Sequence, residues 1–195
     1  DYRKMIIKKL KLNQTVPSPV CVSCDTCCHF PSQNSLMAPI FTHKERKRVI
    51  EDGFSPDLFS PTHDGKSSRI QLRAYDNMFI CPAFLPETGE CSIHPIRPLD
   101  CQIYPFVITF DENRKQVLLC IDEICPYTEI EISKFYRDSS QVVAFLESDT
   151  VMLEIAENWS LVGLRLETAT VICTLDRLTS YLTQTINHWW QNRFW

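Results

Sequence analysis

The chain has 195 residues, a net charge of −4, ten cysteines and only four glycines. That length suffices for a domain with a true hydrophobic core, so the cysteines are not needed merely to hold a small scaffold together. The acidic balance gives no support to a nucleic-acid partner, the few glycines argue against a phosphate-cradling loop, and no segment offers the roughly 18 apolar residues of a membrane span.

Residues 1–12 mix Lys4, Lys8, Lys9 and Lys11 with Met5, Ile6, Ile7 and Leu10, the pattern of a short strand or a surface arm. They hold no apolar run of signal-peptide length, so the expected location is the cytoplasm, where thiols stay reduced and available for metal. Pro17 and Pro19 predict an extended entry into Cys21-Val-Ser-Cys24-Asp-Thr-Cys27-Cys28. A short buried segment is expected over 36–41, and Thr42-His-Lys-Glu45 reads as a capping box opening a helix over 43–52 that Gly53 stops. Residues 53–67 read as a loop. From Ser68, Ile70, Leu72 and Ala74 alternate with polar neighbours, which predicts a strand paired across Asp76-Asn77 with a second strand over 78–81. Pro82, Pro86, Pro95, Pro98 and Pro105 then leave no room for a long element. A hairpin over 106–110 and 116–121 follows.

Beyond Pro126 the character turns helical. Helices are predicted over 128–138 and 140–158, and a long C-terminal one carries Leu175, Leu178, Leu182, Ile186 and Trp189 at three- and four-residue steps. The stretch Trp159–Leu166 keeps a strand reading open, and Cys173 is placed in an apolar helix as a core thiol. The predicted fold is therefore α+β. A small cysteine-rich, metal-binding region of short strands and loops over 1–127 precedes a helical region over 128–195 that packs on it and shares its core.

Four thiols within eight residues, answered downstream by Cys81, Cys91, Cys101, Cys120 and Cys125, supply what a soft metal or an iron–sulfur cluster needs. The neighbours Cys27 and Cys28 project in different directions, so either they serve different centres or one of them is not a ligand. Phe30, Phe79, Phe84, Tyr104 and Phe106 read as an apolar shell for a centre or as ordinary core. His29 and His94 are each open between a mixed sulfur–nitrogen ligand or proton carrier and a surface or hydrogen-bonded residue. Arg97 is open between support of thiolate charge and a structural salt bridge, and Cys120 between a ninth ligand and a strand thiol. The C-terminal run from His188 through Trp189, Trp190, Phe194 and Trp195 reads as an anchor for a protein partner or as helix packing on its own domain.

The opening motif is followed in order by Phe79-Ile-Cys81-Pro-Ala-Phe-Leu85, Gly89-Glu-Cys91-Ser-Ile-His94, Arg97-Pro-Leu-Asp-Cys101-Gln-Ile-Tyr104-Pro-Phe106 and Cys125-Pro126. Over about residues 20–127 the chain resembles the YkgJ-type CxxCxxCC cysteine-cluster family of zinc- or iron-chelating proteins. The resemblance implies that Cys21, Cys24, Cys27, Cys28, Cys81, Cys91, Cys101 and Cys125 bind the metal. Asp25 and Tyr127 stand where glycines are usual, His94 replaces a tyrosine and Gln102 an arginine, so the departures spare every cysteine. Eight thiols divide into two groups of four, for two 4Fe-4S clusters or two zinc ions, and a single cluster with spare thiols is the simpler alternative. The expected function is that of an iron–sulfur protein passing electrons to a redox partner or assembling with it. Two alternatives stay open. One is an enzyme using its cluster as a reagent, as some flagellin lysine methyltransferases are similar in pairing a cysteine cluster with methyl transfer; the other is a zinc-stapled interaction module.

Overall fold

The computed structural model describes residues 12, 14–24, 26–164 and 167–193, with side chains as far as Thr185. All but Leu12 of the arm expected over 1–12, the departure at Asp25 and the side chains of Ile186, Trp189 and the aromatic C-terminal run lie outside them.

The cysteine-rich part opens on helix α1 (Ser18–Val22), where an extended segment was expected. Pro17 caps it and Pro19 falls in its first turn, the one stretch of a helix where a missing N–H costs nothing. Three short strands, β1 (His29–Phe30), β5 (Arg73–Tyr75) and β6 (Met78–Ile80), make an antiparallel sheet in the order β1-β6-β5. The β5–β6 turn is the one predicted, with Tyr75 opposite Met78 and Asp76 at a φ of 48°. A second sheet, β2-β4-β3, pairs β2 (Ile40–Phe41) and β3 (Phe59–Pro61) with β4 (Ser68–Ile70). The single strand predicted from Ser68 is thus two strands in two sheets. The chain changes partners at Gln71, whose N–H donates to Leu58 O at 2.7 Å. Helix α2 (His43–Glu51) starts at the predicted capping box: Glu45 N–H donates to Thr42 Oγ1 and Thr42 N–H to Glu45 Oε2. A two-stranded ladder, β7 (Phe84–Leu85) with β8 (Glu90–Cys91), and the short helix α3 (Leu99–Ile103) complete this part.

The hairpin of β9 (Phe106–Phe110) and β10 (Val117–Asp122) forms as predicted, and β10 is buried along its whole length. It is buried because it is central: β11 (Ala169–Thr174) pairs with its other edge. Cys173 therefore lies on a strand and is half-buried, not on a helix in the core; Thr170, Val171, Ile172 and Thr174 around it are β-branched residues suited to a pleated surface. The described part of the Trp159–Leu166 stretch, residues 159–164, holds a 3₁₀ turn at Trp159–Leu161 and a bridge from Gly163 to Thr109 instead of a regular strand. Helices α4 (Pro126–Leu146), α5 (Asp149–Glu157) and α6 (Asp176–Arg193) surround this sheet. The predicted break between the first two falls at Glu147–Ser148, eight to ten residues later than expected, and α4 instead carries a kink at Glu131, at φ −132° and ψ 32°. Among the described residues no helix is long and apolar enough to cross a membrane.

Two groups of buried side chains organise the molecule. The larger joins Leu119 and Ile121 of β10 to Phe135 of α4, Ile155 of α5 and Leu175, Leu178 and Leu182, and it reaches back to Ile40 and Leu99. The smaller, with Phe30, Phe41, Val49, Ile70, Ile80 and Phe84, lies within the small sheets of the cysteine-rich part. Cys125 belongs to the larger group and Cys21 packs on it, whereas Cys81 belongs to the smaller and Cys28 and Cys91 pack on it. The thiols thus occupy the seam between two apolar clusters.

Candidate metal centre

Each cysteine reaches the seam by a local device. Cys21 lies in the last turn of α1, where its carbonyl accepts from Cys24 N–H at 3.1 Å and its sulfur from Gln14 Nε2 at 3.9 Å. Cys24 Sγ lies 3.4 Å from Thr26 Oγ1, and the turn after it delivers Cys27 and Cys28 to the start of β1. Cys81 N–H donates to Cys28 O at 3.0 Å, continuing the β1–β6 pairing by one residue and fixing the two motifs against each other. Cys91 faces Phe84 across the β7–β8 ladder, Cys101 sits in α3, and Cys125 caps α4.

The local backbone favours the thiolate at three of these cysteines. That of Ala83 and Phe84 favours the ionised form of Cys81, that of Ile93 does so for Cys91, and that of Tyr127 and Thr128 for Cys125. Cys125 also stands at the N-terminus of α4, whose first turns run to the kink at Glu131. Burial opposes the thiolates. It pushes the Cys81 thiol up to about 12 and Cys125 to about 11, raises Cys21 and Cys91, and lifts Cys101 well above its ordinary range. Cys27 is raised first by its hydrogen bond with Cys28 and then by burial, although the residue as a whole is exposed.

The charge couplings show which thiols are neighbours. Cys27 acts on Cys21, Cys81, Cys91, Cys101, Cys125 and Tyr104, and it is hydrogen-bonded to Cys28. Cys24 acts on Cys21 and Cys125. Six of the expected cysteines are therefore neighbours of Cys27, and Cys24 joins the group through Cys21 and Cys125. Among the described residues no three His, Cys, Asp or Glu side chains stand in a finished ligating arrangement, so the thiols are gathered without being closed on a point. Burial that disfavours the thiolates of Cys81, Cys91, Cys101 and Cys125 suits a soft cation, which would supply the charge that lets these sulfurs ionise.

The remaining thiols stay apart. Cys120 is fully buried in β10, 3.6 Å from Thr109 Oγ1, and Cys173 has Cys120 as its thiol neighbour. The strand reading of Cys120 is the one that fits. Phe30, Phe84 and Phe106 are core residues on either side of the seam, and Tyr104 extends to the thiols, its hydroxyl donating to the buried Asp122 Oδ2 at 3.4 Å. His29 packs edge-on against Phe84 at 4.7 Å with its Nδ1 buried and unpartnered among the described residues. His94 is exposed on a 3₁₀ turn, where Arg97 Nη1 donates to its Nε2 at 3.2 Å.

A model of the CxxCxxCC family, described as a putative zinc- or iron-chelating domain, matches residues 20–126. The chain belongs to this family. The matched segment holds all eight cysteines gathered around Cys27 and ends at the first residue of α4. No curated protein and no solved structure matches the chain.

Two half-buried acids that sequence reasoning passed over, or saw only as a cap, hold the Cys101 segment in place. Asp100 accepts Ile40 N–H on Oδ2 at 2.9 Å, tying α3 to β2. Glu45, placed by its capping box, accepts Leu99 N–H on Oε1 at 2.7 Å and so reaches from α2 to the start of α3. Burial is the main influence on Glu45 and pushes its carboxyl from 4.5 up to about 7, against the N–H bonds that favour the anion. A folded-state value raised in this way means stability that is complete below 4.5 and lost as the pH rises through about 7. The gap corresponds to a loss on the order of 3 kcal/mol. Urea unfolding should accordingly show stability falling between about pH 5 and pH 8, and Glu45→Gln should flatten that slope. An equal slope in the variant would assign it to another group.

Proposed function

We propose that the eight thiols around Cys27 hold an iron–sulfur centre and that the chain passes electrons to a redox partner or assembles with it. The observation that carries this reading is the gathering of the expected cysteines in one seam between two apolar clusters, where the backbone around Cys81, Cys91 and Cys125 favours their ionised sulfurs. Hydrogen bonds to sulfur and exclusion of water are the levers by which a protein sets the potential of such a centre. The centre would supply one-electron chemistry. The chain's own part is to present the thiols, to favour their ionised form and to keep water out with Phe30, Phe84 and Phe106. A single neighbourhood favours one compact assembly, of one or two adjacent 4Fe-4S clusters, over two remote sites.

Iron and acid-labile sulfide measured on protein purified without oxygen test the proposal. About four or about eight of each per chain is the expected result. Tightly bound zinc without sulfide would sink it and leave the zinc-stapled interaction module, which the same thiols would serve.

A further inference from the structure

Arg97 is a half-buried cation without a carboxylate. Among the described residues it forms no ion pair, although surface ion pairs occur elsewhere on α2, α4 and α5. Its backbone is pinned, because Gln102 Nε2 donates to Arg97 O at 2.7 Å and Pro98 follows as the cap of α3. Its side chain is held by His94. A guanidinium only donates, so the 3.2 Å bond to His94 Nε2 requires that nitrogen to be bare and places the ring proton on Nδ1. Arg97 lies in the turn between Cys91 of β8 and Cys101 of α3, and the thiols of Cys21, Cys27 and Cys91 all feel its charge.

A divalent cation balances two thiolates. Four or more thiolates in a seam between apolar clusters therefore leave surplus negative charge, and such charge is costly where water is scarce. Arginine meets the need because it stays charged at every working pH. From this placement we infer that Arg97 is a positioning residue of the metal centre, a fixed cation held by His94 that balances the surplus thiolate charge and sets how tightly the centre keeps its metal. The inference rests on metal binding by the same thiols but not on the identity of the metal.

Zinc affinity of the metal-free chain, measured by competition with a chromogenic chelator, tests it. Arg97→Gln should weaken binding by about 10- to 100-fold, the range seen when groups that support metal ligands are removed. Arg97→Lys, which keeps the charge, should restore it to within about fivefold, and roughly molar salt should shrink the gap between wild type and Arg97→Gln. His94→Phe, expected to weaken binding about three- to tenfold by releasing the guanidinium, carries the test if Arg97→Gln does not fold. Equal zinc affinities in wild type and Arg97→Gln would overturn the inference, as would an Arg97→Lys variant as weak as Arg97→Gln with an unchanged circular dichroism spectrum. Equal affinities in a chain that carries iron and sulfide defeat the role of Arg97 alone. Tight, Arg97-dependent zinc without sulfide defeats the iron–sulfur reading alone.

Discussion

Replacing Cys27 with serine should strip the chain of its metal. Cys27 couples to five other expected cysteines and is bonded to a sixth, so no grouping of the thiols into a centre leaves it at the margin. A serine hydroxyl is a far poorer ligand for a soft cation than a thiolate. Metal per chain in Cys27→Ser should fall about tenfold or more by elemental analysis. Cys120→Ser should keep its full complement, because that thiol sits against Thr109 inside the β10 sheet. Undiminished metal in Cys27→Ser would remove this residue from the centre and break the grouping around it. Removing the metal from the wild type should have a matching structural effect. The loops over 20–30 and 81–105, rich in turns and held by few strand pairs, should lose amide protection, while β10, within the larger cluster, keeps it. Unchanged protection in the metal-free loops would show that they fold without it.

Signals that act over a few residues were legible from the chain alone. Thr42 and Glu45 close a cap within one turn, Tyr75 and Met78 close a hairpin across two residues, and Leu175, Leu178 and Leu182 repeat at the helical period. The opening motif, Cys21 through Cys28, is local in the same sense. What escaped depends on partners distant in sequence. Thr170–Thr174 carries β-branched residues, but apolar steps beside a helical run fit either state, and only the free edge of β10 makes the segment a strand. The alternation from Ser68 to Tyr75 runs on unbroken although the strand's partners change at Gln71, because burial of one face looks alike in either sheet. Asp100 and Asp122 carry no local signal, because their partners, the Ile40 N–H and the Tyr104 hydroxyl, come from elsewhere in the chain.

Substituting Gly89 should cost far more than its place in an exposed turn suggests. The turn between β7 and β8 closes with Gly89 N–H donating to Leu85 O at 2.8 Å, and it leaves Gly89 at a φ of +71°. A Cβ added there would overlap Val22 O, a backbone atom at the end of α1, so relief requires moving α1 or the turn as a whole. Both carry ligand candidates, Cys21 on one side and Cys91 on the other. Gly65 supplies the control, with the same φ of +71° and nothing within 4 Å of its Cβ position. Gly65→Ala should therefore show the left-handed backbone penalty alone, about 1–2 kcal/mol. Gly89→Ala should add the displaced backbone, for a total of about 3 kcal/mol or more in denaturant unfolding, together with a loss of bound metal that Gly65→Ala does not share. Equal losses in the two variants would mean that the approach of Val22 to Gly89 is not what joins the opening cysteine motif to the Cys91 turn. Unequal stability with equal metal content would instead separate the packing of α1 from the retention of the centre.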